Sequence, residues 1–228
     1  HRIQHLPYRV ISLTGSSAHM RVIDPYSNKE KEMISFVSND YLGLSHHPEV
    51  IKAGIDALEQ YGAGAGASPL IGGHNFLHEQ LEQEIAHFLK NEYAITYTSG
   101  YAANCSTLLA MMGKEDIAIM DMFTHASVFD GCLCTNTKRF LHNDIDSLVH
   151  VLNNAKSFKN RIVIIDGVYS QDGDIAFLDQ IYTVCKEHDA FLIVDDAHGI
   201  GVLGKTGRGI IEDYDLLDKV DIITGTFS

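Results

Sequence analysis

Phe191-Leu-Ile-Val-Asp195-Asp-Ala-His198-Gly199 is the stretch on which the fold is decided. Four strand-forming apolar residues run into a carboxylate, and a histidine follows three positions later. The run does not alternate apolar with polar residues, so both of its faces are expected to be covered, as in the parallel sheet of an α/β protein. The same form recurs upstream at Ile162-Val-Ile-Ile165, Ile117-Ala-Ile-Met120, Arg139-Phe-Leu141 and Tyr93-Ala-Ile-Thr-Tyr97, and downstream at Val220-Asp-Ile-Ile223. Between these runs lie helical or irregular segments, and strands alternating with helices predict a largely parallel sheet with helices on both faces. Ligands of such sheets bind beyond the carboxyl ends of the strands. The residues that carry chemistry are therefore expected just after each run.

Before the first of these strands, apolar residues at helical spacing (Val50, Ile51, Ile55, Leu58, then Leu77, Leu81, Ile85, Leu89) predict two helices flanking the Gly-rich segment Tyr61 to Gly73. His1 to Lys31 reads as an irregular, polar N-terminal arm, and Ile34-Ser-Phe-Val37 as the first ordered strand. No repeat, low-complexity tract or Pro-rich linker marks a boundary. Residues 1–45 are thus read as arm and first strand, and 46–228 as the first part of one large domain.

Composition narrows the function. A chain of 228 residues with 45% hydrophobic and 21% charged residues can bury a core, which excludes a disordered or collagen-like polymer. Seventeen Lys and Arg against thirty Asp and Glu give a net charge of −13, a field that repels nucleic acid and anionic membranes. Cys105, Cys132, Cys134 and Cys185 form neither a C-x-x-C pair nor zinc-site spacing, so no metal site is expected, and reduced thiols imply a cytoplasmic protein. Residues 93–113 lack formal charge but contain Thr96, Thr98, Ser99, Asn104, Ser106 and Thr107, so they read as strand, turn and helix and not as a membrane span. The chain opens on His1, without Met or a leader pattern, and is expected to be part of a longer protein.

Two glycine motifs compete for attention. Gly199 to Thr206 matches the letters of the phosphate-binding pattern G-x-x-x-x-G-K-S/T, which would make the chain a nucleotide-binding protein. Asp195-Asp-Ala-His198 separates it from the strand, however, and Gly207 and Gly209 occupy what should be a helical turn. Tyr61-Gly-Ala-Gly-Ala-Gly66 follows a helix where a dinucleotide fingerprint must follow a strand. Ser99-Gly100-Tyr101, by contrast, leaves a strand and opens a helix, which aims unpaired N–H groups and a helix dipole at an anion. His125, Ser170, Asp195, His198 and Thr226 take the same strand-end position, where Asp195 suits a cationic ring nitrogen and His198 a phenolic oxygen.

Taken together, Ser38-Asn-Asp-Tyr-Leu-Gly-Leu44, Ser99-Gly-Tyr-Ala-Ala-Asn104, His125-Ala-Ser127, His142-Asn-Asp144, Gly167-Val-Tyr-Ser-Gln-Asp-Gly-Asp174, Val194-Asp-Asp-Ala-His-Gly199 and Gly225-Thr-Phe-Ser228 resemble the α-oxoamine synthases. These belong to the fold-type I enzymes that use pyridoxal 5'-phosphate, and they include serine palmitoyltransferase, aminooxononanoate synthase, aminoketobutyrate CoA ligase and aminolevulinate synthase. The resemblance implies a decarboxylative condensation of an α-amino acid with an acyl thioester, on CoA or on an acyl carrier protein. A long-chain acyl donor of sphingolipid or sulfonolipid type is the first expectation, with aminooxononanoate synthase or aminoketobutyrate CoA ligase activity as the alternative. It implies further that Ser99, Gly100, Tyr101 and Thr226 bind the cofactor phosphate, that His125 stacks on the pyridine ring, and that Ser170 and His198 contact its phenolic oxygen. Asp195 would pair with the ring nitrogen, and Asn39 would approach the substrate. His125, Asp195 and His198 are the implied catalytic groups within the chain. The Schiff-base lysine is expected immediately after Ser228, with a small C-terminal domain beyond it, and the active site is expected to be shared in a homodimer. A partner chain without that lysine would instead be a binding subunit. Ala67-Ser68-Pro69 stands where many members have Gly-Ser-Arg, a departure at the acyl-donor contacts.

Overall fold

The computed structural model describes residues 9–227, so the expectations resting on His1 and Ser228 lie outside the described residues. The described residues fall into two compact units, one ending at His74 and one running from Asn75 to Phe227.

The first unit opens with an antiparallel meander of β1 (Ile11–Ser12), β2 (His19–Ile23) and β3 (Glu30–Ile34), with His19 opposite Ile34 and Ile23 opposite Glu30. The connection between β2 and β3 is an Asx turn, in which Asp24 Oδ1 accepts from the N–H groups of Tyr26 and Ser27 at 2.8 and 3.1 Å. Those two backbone hydrogen bonds hold the Asp24 carboxyl below its usual range. The meander corrects the expectation of an irregular opening stretch. Val22 is the buried apolar side chain of these strands, so the apolar alternation that betrays a strand is missing from the sequence. The strand expected at Ile34–Val37 is also corrected, because pairing stops at Ile34 and Phe36 and Val37 are about nine-tenths exposed. Helix α1 (Pro48–Tyr61) starts with Pro at its first position and ends at Gly62, whose φ of 81° suits glycine. In the Gly-rich loop that follows, a Cβ on Gly73 would stand 1.9 Å from the Ala67 carbonyl oxygen, so the chain closes there only on glycine.

The second unit begins with α2 (Phe76–Leu89), capped by Asn75, whose side chain accepts from the N–H groups of Leu77 and His78. Next come α3 (Gly100–Met111), β4 (Ile117–Asp121), α4 (Ala126–Gly131), β5 (Asn136–Phe140) and α5 (Ile145–Asn153). The chain continues through β6 (Arg161–Asp166), α6 (Leu178–Glu187), β7 (Phe191–Asp195), α7 (Ile210–Asp213) and β8 (Ile222–Thr224). The five strands form one parallel sheet in the order β5-β4-β6-β7-β8. Alternate residues serve opposite faces. Ile117, Ile119, Val163, Ile165, Leu192 and Val194 pack with Leu148 and Leu152 of α5 and Ile181 of α6. Ala118, Met120, Ile162, Ile164 and Ile193 pack with Leu108 of α3 and Val128 of α4. Both faces are therefore dry, which is why the central strands read as unbroken apolar runs. The strand expected at Tyr93–Tyr97 is corrected as well: the segment forms no regular element and pairs with no strand among the described residues, and Tyr93 and Ile95 are largely exposed.

Candidate functional site

The carboxyl ends of the central strands carry a line of buried acids: Asp121 closes β4, Asp166 closes β6 and Asp195 closes β7, with Asp196 next in the chain. Asp166 and Asp195 are register partners across β6 and β7, and Asp195 faces Thr224 across β7 and β8. Burial pushes the Asp166 carboxyl up to about 8, with the Asp195 charge adding to it, while the His125 N–H donating to Asp166 Oδ1 at 3.3 Å works the other way. Burial also lifts Asp196 to about 7, against the N–H of Ile210 that donates to its Oδ2 at 2.9 Å. Two adjacent carboxylates in a low dielectric cannot both ionise cheaply, so this end of the sheet is prepared for a cation.

Asp195 is held by neutral groups. Its Oδ2 accepts from Asn104 Nδ2 at 2.6 Å and its Oδ1 from the Ala197 N–H at 3.1 Å. Asn104 Nδ2 also donates to Ser127 Oγ at 2.9 Å, and that hydroxyl lies 2.6 Å from His125 Nδ1. Helix α3 brings Asn104 to this cluster one turn after its own start. Ser99 caps the helix by accepting from the Ala102 N–H at 3.1 Å, which leaves the N–H groups of Gly100 and Tyr101 outside the intrahelical pattern. Gly100 faces the chain just beyond β8, where an added Cβ would stand 3.2 Å from Thr226 Cβ. A helix N-terminus, a glycine and a hydroxyl residue thus converge at one place. The Tyr101 ring meets the His125 ring edge-on at 6.1 Å, and the Tyr101 hydroxyl donates to Asp130 Oδ2.

A second cluster lies at the ends of β4 and β5. His142 bridges Asp121 Oδ1 at 2.9 Å through Nδ1 and Asp174 Oδ2 at 2.7 Å through Nε2, stacks on Phe123 and meets Tyr169 edge-on. Burial alone would lower its basicity, but the hydrogen bonds to both carboxylates prevail and raise it above the usual imidazole value. Asn143, at φ 51°, adds its N–H to Asp121 Oδ2 and its Nδ2 to Asp174 Oδ2. This knot fastens the segment Gly167–Asp174, and hence exposed Ser170, to the sheet.

Among the residues expected from the sequence, Ser99, Gly100, Tyr101, His125, Asp195 and Thr226 lie in this unit as described. His198 follows in the turn after β7, half-buried. Asn39 belongs to the other unit, exposed in a bend beyond the meander. The segment Gly199–Thr206 does not form a phosphate loop. Its turns close on themselves, and the Thr206 hydroxyl, first of all, with the N–H groups of Thr206 and Arg208, donates to the Glu212 carboxylate and holds it down at about 2. A permanently charged acid stands where a phosphate would have to sit. Cys132 and Cys185 are buried, which pushes both thiols up to about 12 and keeps them unreactive. The sequence reading missed Asn104, Ser127, Asp166, Asp196 and His142 as site residues. All but Asp166 lie in quoted motifs, but only their contacts reveal what they do.

Residues 31–228 match the family described as aminotransferase class I and II. The chain belongs to that family. Within it, the chain is 42% identical over 96% of its length to 8-amino-7-oxononanoate synthase of Saccharophagus degradans, of which it covers 54%. It is 44% identical over 86% of its length to the enzyme of that name in Ectopseudomonas mendocina, covering 51%. Its structure is similar to Sphingomonas wittichii serine palmitoyltransferase, with a TM-score of 0.91 and 32% identity over 98% of this chain and 55% of that one. Both names denote α-oxoamine synthases, so the fold is that of the fold-type I enzymes. The chain spans about half the length of the curated relatives it matches. Among the described residues no helix is long and apolar enough to cross a membrane.

Proposed function

We propose that the intact protein is a pyridoxal 5'-phosphate-dependent C-acyltransferase that joins an α-amino acid to the acyl group of a thioester, releasing carbon dioxide, the free thiol and an α-oxoamine. The observation that carries this reading is the buried Asp195 carboxylate, fixed by neutral donors, one of them Asn104 of α3. The donor set fits the cofactor: a buried carboxylate answers a protonated ring nitrogen, and a glycine-opened helix N-terminus answers a phosphate. Bound there, the cofactor would supply an electron sink for the electrons left on the amino acid's α-carbon. Asp195 would keep the ring nitrogen protonated, the N–H groups of Gly100 and Tyr101 with Ser99 and Thr226 would hold the phosphate, and His125 would cover the ring. Ser170 and His198 are assigned to the phenolic oxygen and Asn39 to the substrate. A lysine immediately after Ser228 to anchor the cofactor, and a small C-terminal domain, are part of the proposal.

On substrate, the alternative overtakes the long-chain expectation, because curated relatives at 38–44% identity carry the name 8-amino-7-oxononanoate synthase, against 32% identity to serine palmitoyltransferase. A product of that name is assembled from alanine and an acyl thioester ending in a carboxylate, on CoA or on an acyl carrier protein. A shared site in a homodimer is part of the proposal. It is supported in the first unit by Val50, Ile51, Ile55 and Leu58 of α1, all about half exposed, and by Leu70 and Ile71 in the Gly-rich loop, exposed almost entirely.

The test is a spectrum of the intact protein with pyridoxal phosphate. A visible absorption band that shifts on adding alanine, followed by turnover with an ω-carboxyacyl thioester, is expected. A protein with no such band would be a binding subunit or something else, and turnover only with long, uncharged acyl chains would restore the first expectation.

A further inference from the structure

We propose that Asn104 and Ser127 are positioning residues that carry one directed hydrogen-bond chain from Asp195 to His125 and so fix the His125 imidazole with its hydrogen on Nε2. The inference rests on the cofactor reading for its consequence, and on geometry alone for its content.

The direction of the chain follows from counting donors. The Asn104 amide has two hydrogens on Nδ2, and two acceptors lie within reach: Asp195 Oδ2 at 2.6 Å and Ser127 Oγ at 2.9 Å. Ser127 Oγ, having accepted one hydrogen, has its own to give, and its remaining neighbour is His125 Nδ1 at 2.6 Å. The Ser127 backbone N–H points at the same Nδ1 at 3.3 Å. A ring nitrogen that receives an N–H cannot itself carry a hydrogen, so Nδ1 is the acceptor and Nε2 holds the proton. Asn104 and Ser127 are both buried, with Ser127 fully so, which shields the inner bonds of the chain from water, while His125 at its end is exposed.

The chain spans three elements: α3 supplies Asn104, the start of α4 supplies His125 and Ser127, and β7 supplies Asp195. It therefore couples the orientation of the carboxylate assigned to the ring nitrogen with the tautomer of the imidazole assigned to the ring face. Neither residue touches the other directly. A leucine at position 104 would be nearly isosteric yet could not donate, so it would leave the Ser127 hydroxyl free to accept from His125 Nδ1, with the Ser127 N–H at 3.3 Å still favouring Nδ1 as an acceptor.

The experiment is nitrogen NMR of the full-length protein, purified without cofactor and carrying labelled histidine, with the His125 signals assigned by their loss in His125→Asn. In the unsubstituted protein, His125 Nδ1 is expected at the position of an unprotonated acceptor and Nε2 at that of an N–H. Asn104→Leu and Ser127→Ala are each expected to give a mixture of both tautomers. An Nδ1–H in the unsubstituted protein overturns the proposal. So does an unchanged His125 spectrum in both variants when their melting temperatures are unchanged. If Asn104→Leu does not fold, Ser127→Ala alone decides. A merely structural pair would lower the melting temperature without altering the tautomer. Failure of the protein to develop a visible band with pyridoxal phosphate would sink the cofactor reading while leaving this result standing.

Discussion

Asp195 is the residue on which the proposed chemistry turns, and removing its charge separates binding from function. In the intact enzyme Asp195→Asn keeps the shape and the Asn104 neighbour but leaves the ring nitrogen without a counter-charge. Turnover is expected to fall at least a hundredfold, about 3 kcal/mol at the transition state, with the fold retained by circular dichroism. Near-normal turnover would place the ring nitrogen elsewhere. His142 makes the opposite case, since it has no proposed contact with the reaction. His142→Ala strips the cation from buried Asp121 and partly exposed Asp174 and is expected to cost about 3 kcal/mol in urea unfolding. Because folding raises the basicity of His142, the stability it contributes is full below the ordinary imidazole range and is lost as pH rises through its raised value. The penalty of the alanine variant should therefore shrink at alkaline pH, and a penalty independent of pH would refute the ion-pair account.

The turn after β7 shows how an element can depend on missing side chains. Asp196 lies fully buried with its carboxylate against Gly199 and Gly209, and Ile210 at the start of α7 donates to it. A Cβ at position 199 would stand 2.0 Å from Asp196 Oδ1, and one at 209 would stand 1.8 Å from Oδ2. Position 209 also has φ 84°, which penalises any other residue there. Gly199→Ala is expected to destabilise the second unit by about 1–3 kcal/mol through this clash, read as an earlier urea midpoint with an unchanged slope. No loss of stability would mean that the carboxylate has room to move. The glycine spacing that imitates a phosphate loop in the sequence thus serves to enclose an acid.

Across the whole molecule, the buried acids set the response to pH. Asp166 and Asp196 bind protons more tightly folded than unfolded, with values raised to about 8 and about 7. Between the ordinary carboxylate range and about pH 8 the folded state holds protons that the unfolded chain releases, so stability falls as pH rises through that window. Cofactor-free protein should therefore melt at a lower temperature at about pH 8 than at about pH 6, and Asp166→Asn should flatten the slope. Pyridoxal phosphate, which brings a cationic ring nitrogen, should restore stability more at the higher pH. A slope unaffected by Asp166→Asn would assign it to other groups. The proposed homodimer is tested by mixing a variant lacking the cofactor lysine with one altered in the Gly62–Gly73 loop. Recovered activity is expected, because one site of each mixed dimer is intact, and an active monomer in sedimentation would refute the shared site.

What the sequence determined by itself was the parallel sheet and its working edge. Runs such as Ile162–Ile165 and Leu192–Val194, buried on both faces, have to be continuously apolar, and the polar residue that ends each run marks the carboxyl edge. The N-terminus of α3 was legible for the same local reason, a Ser-Gly turn opening a helix. The meander β1–β3 was not, because a sheet exposed on nearly every residue leaves no alternation to read. Nor were the Asp195–Asn104–Ser127–His125 chain and the His142 knot. Their hydrogen bonds join residues 91 and 32 positions apart at the widest. Polar residues carry no periodic signal of their own, and whether one is a partner, a cap or a solvated side chain is decided only when separate strands bring it within hydrogen-bond distance of another.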